Sequence, residues 1–302
     1  MNLAFRPARP EDKPRMLEIT AHTWDDGDYI PEVWDNWLAD PQGELTVAVD
    51  DGIMVALSKL TRVVDDQWWL EGLRVDPERR LRGIGQAITA YQVANAKRLG
   101  CCVLRYATCI RNEGSHRIAE RAGFHVLTRF VERVAEKLDT PPKAQVLTIT
   151  DLDAAWNLAH GSDLFSAVNG VYVFKWKVYP LTRERLAEHL SQGMIMSVRQ
   201  ASGDLAAWCM VDNDLNWEGV EVTSLFGTKD GIAELARAMR AQVGVWGKAM
   251  VEVMTPPHPS VLEALKAAGY GLEATPKQDG EPHEHGIDIF ELRLDESATP
   301  QH

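Results

Sequence analysis

With 302 residues, 45% hydrophobic and 25% charged, the chain has ordinary globular composition and the length for one large or two ordinary domains. A net charge of −12 excludes a basic nucleic-acid footprint; it serves solubility alone or weakly favours cationic, amine-bearing partners. No apolar run approaches the ~18 residues of a membrane span, and the start of the chain has Arg6 and Arg9 but no apolar stretch of a secretion signal. Cys101, Cys102, Cys109 and Cys209 form neither a CxxC pair nor a zinc-spaced cluster with histidine, so no metal is expected and a reducing, cytoplasmic setting is.

In chain order, Leu3 to Arg6 reads as a strand, and Pro10, Glu11 and Asp12 open a helix running to Thr20, since proline and acids suit a first turn. A polar loop, HTWDDGDY from His22 to Tyr29, precedes a second helix over Pro31 to Leu38. Leu45 to Val49, Ile53 to Val64 and Trp68 to Val75 are β-rich runs stopped by Asp50-Asp51-Gly52, Asp65-Asp66 and Asp76-Pro77, which predicts an antiparallel meander. The period then becomes helical: Ile84, Ala87, Ile88, Tyr91 and Ala94 share a face, and Gly100 ends the helix. A strand over Val103 to Cys109, a helix over Glu113 to Ala122 closed by Gly123, and a strand over Phe124 to Lys137 complete an α+β sheet flanked by helices.

Asp139 to Lys143 (DTPPK) reads as a linker, giving domains over 1–138 and 144–296 and a disordered tail over 297–302. The second half repeats part of the grammar. Strands are expected over Met194–Val198, Ala206–Val211, Val220–Leu225, Ala249–Met254 and Ile287–Leu294. Helices are expected around Ile232–Val243 and Ser260–Ala268. Gly269-Tyr270 stands where Gly123-Phe124 stands in the first half, which indicates a diverged tandem repeat; the alternative is two unrelated α+β domains.

The chemistry is carried by Leu73 to Gln86, LRVDPERRLRGIGQ. A strand ends at Asp76-Pro77 and a basic, glycine-containing turn enters the long helix. The first amides of a helix lack internal partners and carry the positive end of its dipole, so such a terminus binds phosphate. Gly83 and Gly85 would let a pyrophosphate approach the backbone, and Arg79, Arg80 and Arg82 would add charge-assisted contacts. The Walker A form GxxxxGK[ST] is absent. The dinucleotide form GxGxxG fails at Ile88, and a meander, not a βαβ unit, precedes the helix.

Arg80-Leu81-Arg82-Gly83-Ile84-Gly85, following Leu73-Arg74-Val75-Asp76-Pro77 and followed in register by Asn112, Ser115 and Gly123-Phe124, resembles the GNAT superfamily of N-acetyltransferases over residues 1–135. The resemblance implies a GNAT-like mixed sheet with acetyl-CoA as cosubstrate. The pyrophosphate would lie on the amides of Leu81, Arg82, Gly83, Ile84, Gly85 and Gln86, with Arg80 beside it. The pantetheine arm would run along Leu73, Arg74 and Val75, between splayed strands Trp68–Val75 and Val103–Cys109, with Asn112 and Ser115 on the exit side.

The resemblance also implies chemistry. The backbone N–H of Leu73 is the candidate oxyanion donor. Glu71, the carboxylate within that strand, is the candidate base, directly or through water, although an ungapped match to some members puts the base nearer Trp69. The family's acidic tyrosine, seven residues after the Asn, is replaced here by Ala119, with Cys109 and His116 as weak substitutes. The acceptor pocket would draw on Trp24, Asp25, Asp28 and Tyr29, acids beside aromatics that suit a cationic amine.

The second half lacks the basic glycine turn, reading Leu225-Phe226-Gly227-Thr228-Lys229-Asp230-Gly231, so no coenzyme is expected there. The expectation is an N-acetyltransferase acting on a primary amine of a small molecule, as monomer or homodimer, without nucleic acid or membrane. The alternatives are peptide or protein N-acetylation, or a non-catalytic acyl-CoA-binding module.

Overall fold

The structure, a computed structural model, describes residues 2–21, 23, 27–212, 219–272 and 284–294. The chain divides into two units, Met1–Val126 with Phe290–His302, and Leu127–Ile289.

The first unit runs β1 (Leu3–Pro7), α1 (Lys13–Thr20), α2 (Ile30–Ala39), β2 (Glu44–Asp50), β3 (Ile53–Val64), β4 (Gln67–Val75), α3 (Ile84–Arg98), β5 (Val103–Cys109) and α4 (Glu113–Arg121). Strand order is β1-β2-β3-β4-β5, antiparallel until β4 meets β5 in parallel. Beyond β5 lie Phe290–Arg293, with the Leu294 N–H donating to the Cys102 carbonyl at 2.8 Å. Each strand alternates its faces. On one face Met16, Ile19, Ile30, Trp34 and Trp37 of the first two helices pack on Leu45, Val47, Met54 and Leu57. On the other, Ala96, Ala119 and Phe124 pack on Leu60, Trp68, Leu70 and Leu104.

Two local features set the site. Leu57 faces Arg74 and Lys59 faces Glu71, so Ser58 alone opposes both Gly72 and Leu73. This is a bulge in β4, and Gly72 takes it up with a left-handed φ of 66°. The parallel pairing of β4 with β5 covers only Gln67↔Val103, Trp68↔Leu104 and Trp69↔Arg105, so the strands fork just before the bulge.

The second unit takes up the Leu127–Glu136 part of β6 (His125–Glu136). It continues with β7 (Gln145–Val146), α5 (Leu152–His160), α6 (Asp163–Ala167), β8 (Val171–Phe174), β9 (Lys177–Pro180), α7 (Arg183–Ser191), β10 (Ile195–Arg199), β11 (Leu205–Asp212) and β12 (Gly219–Gly227). It closes with α8 (Lys229–Val245), β13 (Met250–Thr255), α9 (Pro259–Ala267) and the start of β14 (Gly286–Arg293). Its sheet order is β14-β6-β13-β12-β11-β10-β7, with β12 and β13 parallel.

The same bulge recurs here: Cys209 opposes both Ser224 and Leu225, and Ser224 has φ 51°. Parallel pairing again stops just before it, at Val222↔Val253. Helix α9 ends as α4 does, with Gly269 and Gly123 both at φ 85° and the following Tyr270 and Phe124 N–H groups donating back to Leu265 and Ala119 at 3.0 Å. The halves are therefore two copies of one architecture.

The expected strands and helices of the first half are found with ends shifted by a few residues. The division is not where composition put it. The strand β6 belongs mostly to the second unit, as the antiparallel partner of β13 from Glu136↔Met250 to Val131↔Thr255, and the break falls at Val126–Leu127. The segment at Asp139–Lys143 follows that strand, whose neighbour Leu138 is tied by its N–H to the Arg240 carbonyl at 2.9 Å. The elements from α5 to α7 were not read from sequence, and the tail over 297–302 lies outside the described residues.

Candidate functional site

The helix start at Gly83 is uncapped and open. Gly83 is the residue before α3, with φ 82° and no side-chain cap, and a Cβ placed on it would meet nothing within 4 Å. The first helical hydrogen bond is Ala87 N–H to the Gly83 carbonyl at 3.0 Å, which leaves the preceding amides, those of Ile84, Gly85 and Gln86, without an acceptor in the helix. Leu81 is also left-handed, at φ 63°, and fully exposed, a conformation a branched residue adopts only under constraint. Arg82 is thus flanked on both sides by left-handed residues.

The basic residues separate. Arg79 is committed to Asp50 at 2.9 Å, whereas Arg80 and Arg82 are exposed and make no ion pair among the described residues. The turn is anchored below by buried Asp76, which accepts the Glu78 N–H at 3.0 Å and pairs with Arg15. Gly85 differs from the expected phosphate-approach role: its Cβ position lies 3.0 Å from Ile118 Cδ1 and 3.7 Å from Val75 Cγ2. Its bareness lets α3 close on α4 and β4.

Leu73, Arg74 and Val75 follow the bulge on the forked edge of β4. Glu71 precedes the bulge and accepts from Thr61 Oγ1 at 2.5 Å. The loop before α2 comes down on the same place. Asp28, which the sequence offered as a ligand for an amine, is instead locked onto Arg74 through Oδ2–Nε at 2.6 Å and Oδ1–Nη2 at 3.1 Å, with 1% of its side chain exposed. Two opposite charges held this closely neutralise each other, so Asp28 organises the wall and presents no spare charge.

The Tyr29 ring lies under the Arg74 guanidinium at 5.7 Å and edge-on to Trp37 at 5.9 Å. Burial, then the charge of Glu71, pushes the Tyr29 phenol up to about 12, and the Gly72 backbone faces its oxygen, although nearly half of the residue's surface remains accessible. Trp24 and Asp25 lie outside the described residues.

On the other side of the fork Asn112 caps α4, its Oδ1 accepting the Ser115 N–H at 3.1 Å, so both have a structural task in the helix start. Ala119, at the family's tyrosine position, is fully buried. A phenol nevertheless reaches this helix from β5: Tyr106 stacks on Phe290 at 5.1 Å and donates to the Ser115 carbonyl at 3.1 Å, and burial pushes it up to about 12. His116 stands edge-on to Phe290 with Nε2 3.3 Å from the Cys109 carbonyl.

Sequence reasoning thus missed Thr61 and Tyr106, whose roles rest on partners distant in sequence. Gly72, a glycine inside a strand pattern, marks both the bulge and the close approach of Trp37: its Cβ would lie 2.5 Å from the Trp37 ring.

The equivalent helix start in the second unit is closed. Thr228 caps α8 by accepting the Gly231 N–H at 3.1 Å and donates its own N–H to the Ala206 carbonyl at 3.1 Å. A Cβ on Gly231 would lie 2.4 Å from that carbonyl oxygen, and Lys229 is paired with Glu263. Among the described residues no group of three or more His, Cys, Asp or Glu could hold a metal ion, and no helix is long and apolar enough to cross a membrane.

Residues 11–124 match the model of the acetyltransferase (GNAT) family. A GCN5-related N-acetyltransferase from Sphaerobacter thermophilus superposes with a TM-score of 0.63 at 16% identity, covering 96% of this chain and 95% of that one. A tandem GNAT protein from the clavulanic acid biosynthesis pathway gives 0.55 at 16% identity, covering 98% and 100%. A GCN5-related N-acetyltransferase from Kribbella flavida gives 0.51 at 12% identity, covering 97% and 72%. Comparison with curated proteins finds no match. At these identities the likeness is one of fold, and it extends over both units: the chain has the tandem GNAT architecture. Within it, residues 11–124 are a GNAT acetyltransferase domain.

Proposed function

We propose that the first unit transfers an acetyl group from acetyl-CoA to a primary amine of a small molecule, and that the second unit is a degenerate copy without a coenzyme site. The observation that carries this reading is the bulge at Gly72–Leu73 where β4 leaves β5, beside an uncapped helix start. The residues fit the coenzyme: the space at Gly83, the amides of Leu81 to Gln86 and the unpaired Arg80 and Arg82 suit a diphosphate, and the fork leaves Leu73 and Val75 an unpaired strand edge for amides. Bound there, acetyl-CoA supplies an activated acyl group and a thiolate leaving group.

The chain's own residues supply the rest. An alkylammonium is protonated at neutral pH and must lose a proton before it attacks; Glu71 takes that proton, directly or through water, with Thr61 holding the carboxylate in place. The Leu73 N–H, turned by the bulge, donates to the oxyanion. Tyr106, reaching α4 in place of the missing tyrosine, supplies a proton to the departing sulfur. Tyr29, Trp37 and the Asp28–Arg74 pair form the acceptor wall, and Asn112 and Ser115 line the coenzyme's path out. The reading includes a cytoplasmic protein acting as monomer or homodimer.

The test is release of free thiol from acetyl-CoA against a panel of primary amines and peptides. Turnover confined to small amines supports the proposal. Turnover on peptides alone redirects it to protein acetylation. Coenzyme binding without turnover across the panel makes the unit a binding module.

A further inference from the structure

Helix α3 turns a row of residues spaced by four toward the sheet: Ile84, Ile88, Gln92 and Ala96, all buried. Three suit an apolar interface and one does not. Gln92 is completely buried, and leucine would fill the same space without a polar atom to satisfy. Its Nε2 donates to the Ser58 backbone carbonyl at 2.9 Å, while its Oε1 has no hydrogen-bond partner among the described residues. The donor is therefore the part of this side chain that is used.

The acceptor explains why. Ser58 is the single β3 residue that faces both Gly72 and Leu73. An extra residue in one strand disrupts the ladder locally, and a buried carbonyl at that point needs a partner from elsewhere. A bond from the helix side fixes the Ser58 peptide, and with it the β4 backbone that must stay bulged for the Leu73 N–H to face the fork.

We infer that Gln92 is a positioning residue for the acetyl-transfer site: its amide holds the Ser58 carbonyl, and through it the bulge that aims the Leu73 N–H. The inference rests on the N-acetyltransferase reading above. A purely structural role would show in stability and leave turnover per folded molecule alone.

The test uses the full chain with Gln92→Leu, which keeps the volume and removes the donor, and Gln92→Glu, which can donate only while protonated. Gln92→Leu is expected to stay folded with a modestly lower thermal midpoint, because the buried Ser58 carbonyl loses its partner, and to keep its coenzyme A affinity. Its kcat should fall about a hundredfold, the scale of a sub-ångström to ångström misplacement. Amide exchange at Gly72 and Leu73 should quicken roughly tenfold, as for one lost hydrogen bond, with Val47 unchanged. Gln92→Glu should regain turnover, relative to the parent, as pH falls and its carboxyl becomes a donor.

If exchange at Gly72 and Leu73 is unchanged in Gln92→Leu, the inference is overturned whatever the activity. If exchange quickens but kcat stays within about twofold, roughly what a surface change would give, the positioning role is overturned. A parent without turnover on any amine defeats the functional reading itself, and is seen before a variant is made.

Discussion

Replacing Gly72 with alanine isolates the bulge. The residue has φ 66°, where a Cβ costs about 1–2 kcal/mol. The added carbon would also lie 2.5 and 2.7 Å from two atoms of the buried Trp37 ring, and such overpacking costs about 1–3 kcal/mol. The sum is roughly 2–5 kcal/mol. Gly52, in the turn between β2 and β3, provides the control: its φ is 82° and a Cβ there meets nothing within 4 Å. Gly52→Ala should therefore lose only the backbone part, about 1–2 kcal/mol. Denaturant midpoints of the two variants measure the difference, and thiol release measures its consequence. Gly72→Ala should be the less stable by about 1–3 kcal/mol and lose most of its turnover while folded. Equal stabilities, or full turnover in Gly72→Ala, would refute the claim that a strained, tightly covered bulge shapes this site.

Glu71→Gln should cut kcat at neutral pH by about 10²–10⁴-fold and leave coenzyme A affinity nearly unchanged, read by steady-state kinetics and calorimetry; retained activity would remove Glu71 as the base. Tyr106→Phe should lower kcat by about tenfold or more, and an unchanged rate would mean the thiolate leaves unassisted. In the second unit, burial, then repulsion from Asp212 and Glu132, pushes Glu221 up to about 7. A carboxyl raised in the folded state destabilises as it ionises: the penalty is absent below its unfolded value near 4.5, grows as pH rises and is complete above about 7. Glu221→Gln should accordingly raise the thermal midpoint at pH 8, by up to about 3 kcal/mol of stability, and change little at pH 4; the opposite pH order would contradict the burial.

Much of the first unit was legible in the sequence, because its strands end at Asp-Gly, Asp-Asp and Asp-Pro turns and its long helix has an unbroken period. The uncapped helix start was legible for a related reason: glycines before a helix, with no capping side chain, carry their meaning locally. What was not legible depends on contacts distant in sequence. Asp28 looked like a free acid until Arg74, 46 residues on, was placed beside it. Gly85 looked like an opening for phosphate until Ile118 filled the space over it. The break between units was read from DTPPK composition, but strand pairing sets it, and nothing local in β6 names β13 as its partner. The α5 to α7 stretch, with helices of nine and five residues and strands of four, gives patterns too short for a period to register.

The most direct test of the account is a calorimetric titration of the full chain with coenzyme A, alongside Gly83→Asn, which tolerates a left-handed backbone, and Gly83→Glu, which puts a carboxylate where the diphosphate should sit. One equivalent bound per chain, kept in Gly83→Asn and lost in Gly83→Glu, is the predicted result. Two equivalents, none, or binding indifferent to Gly83→Glu would contradict it.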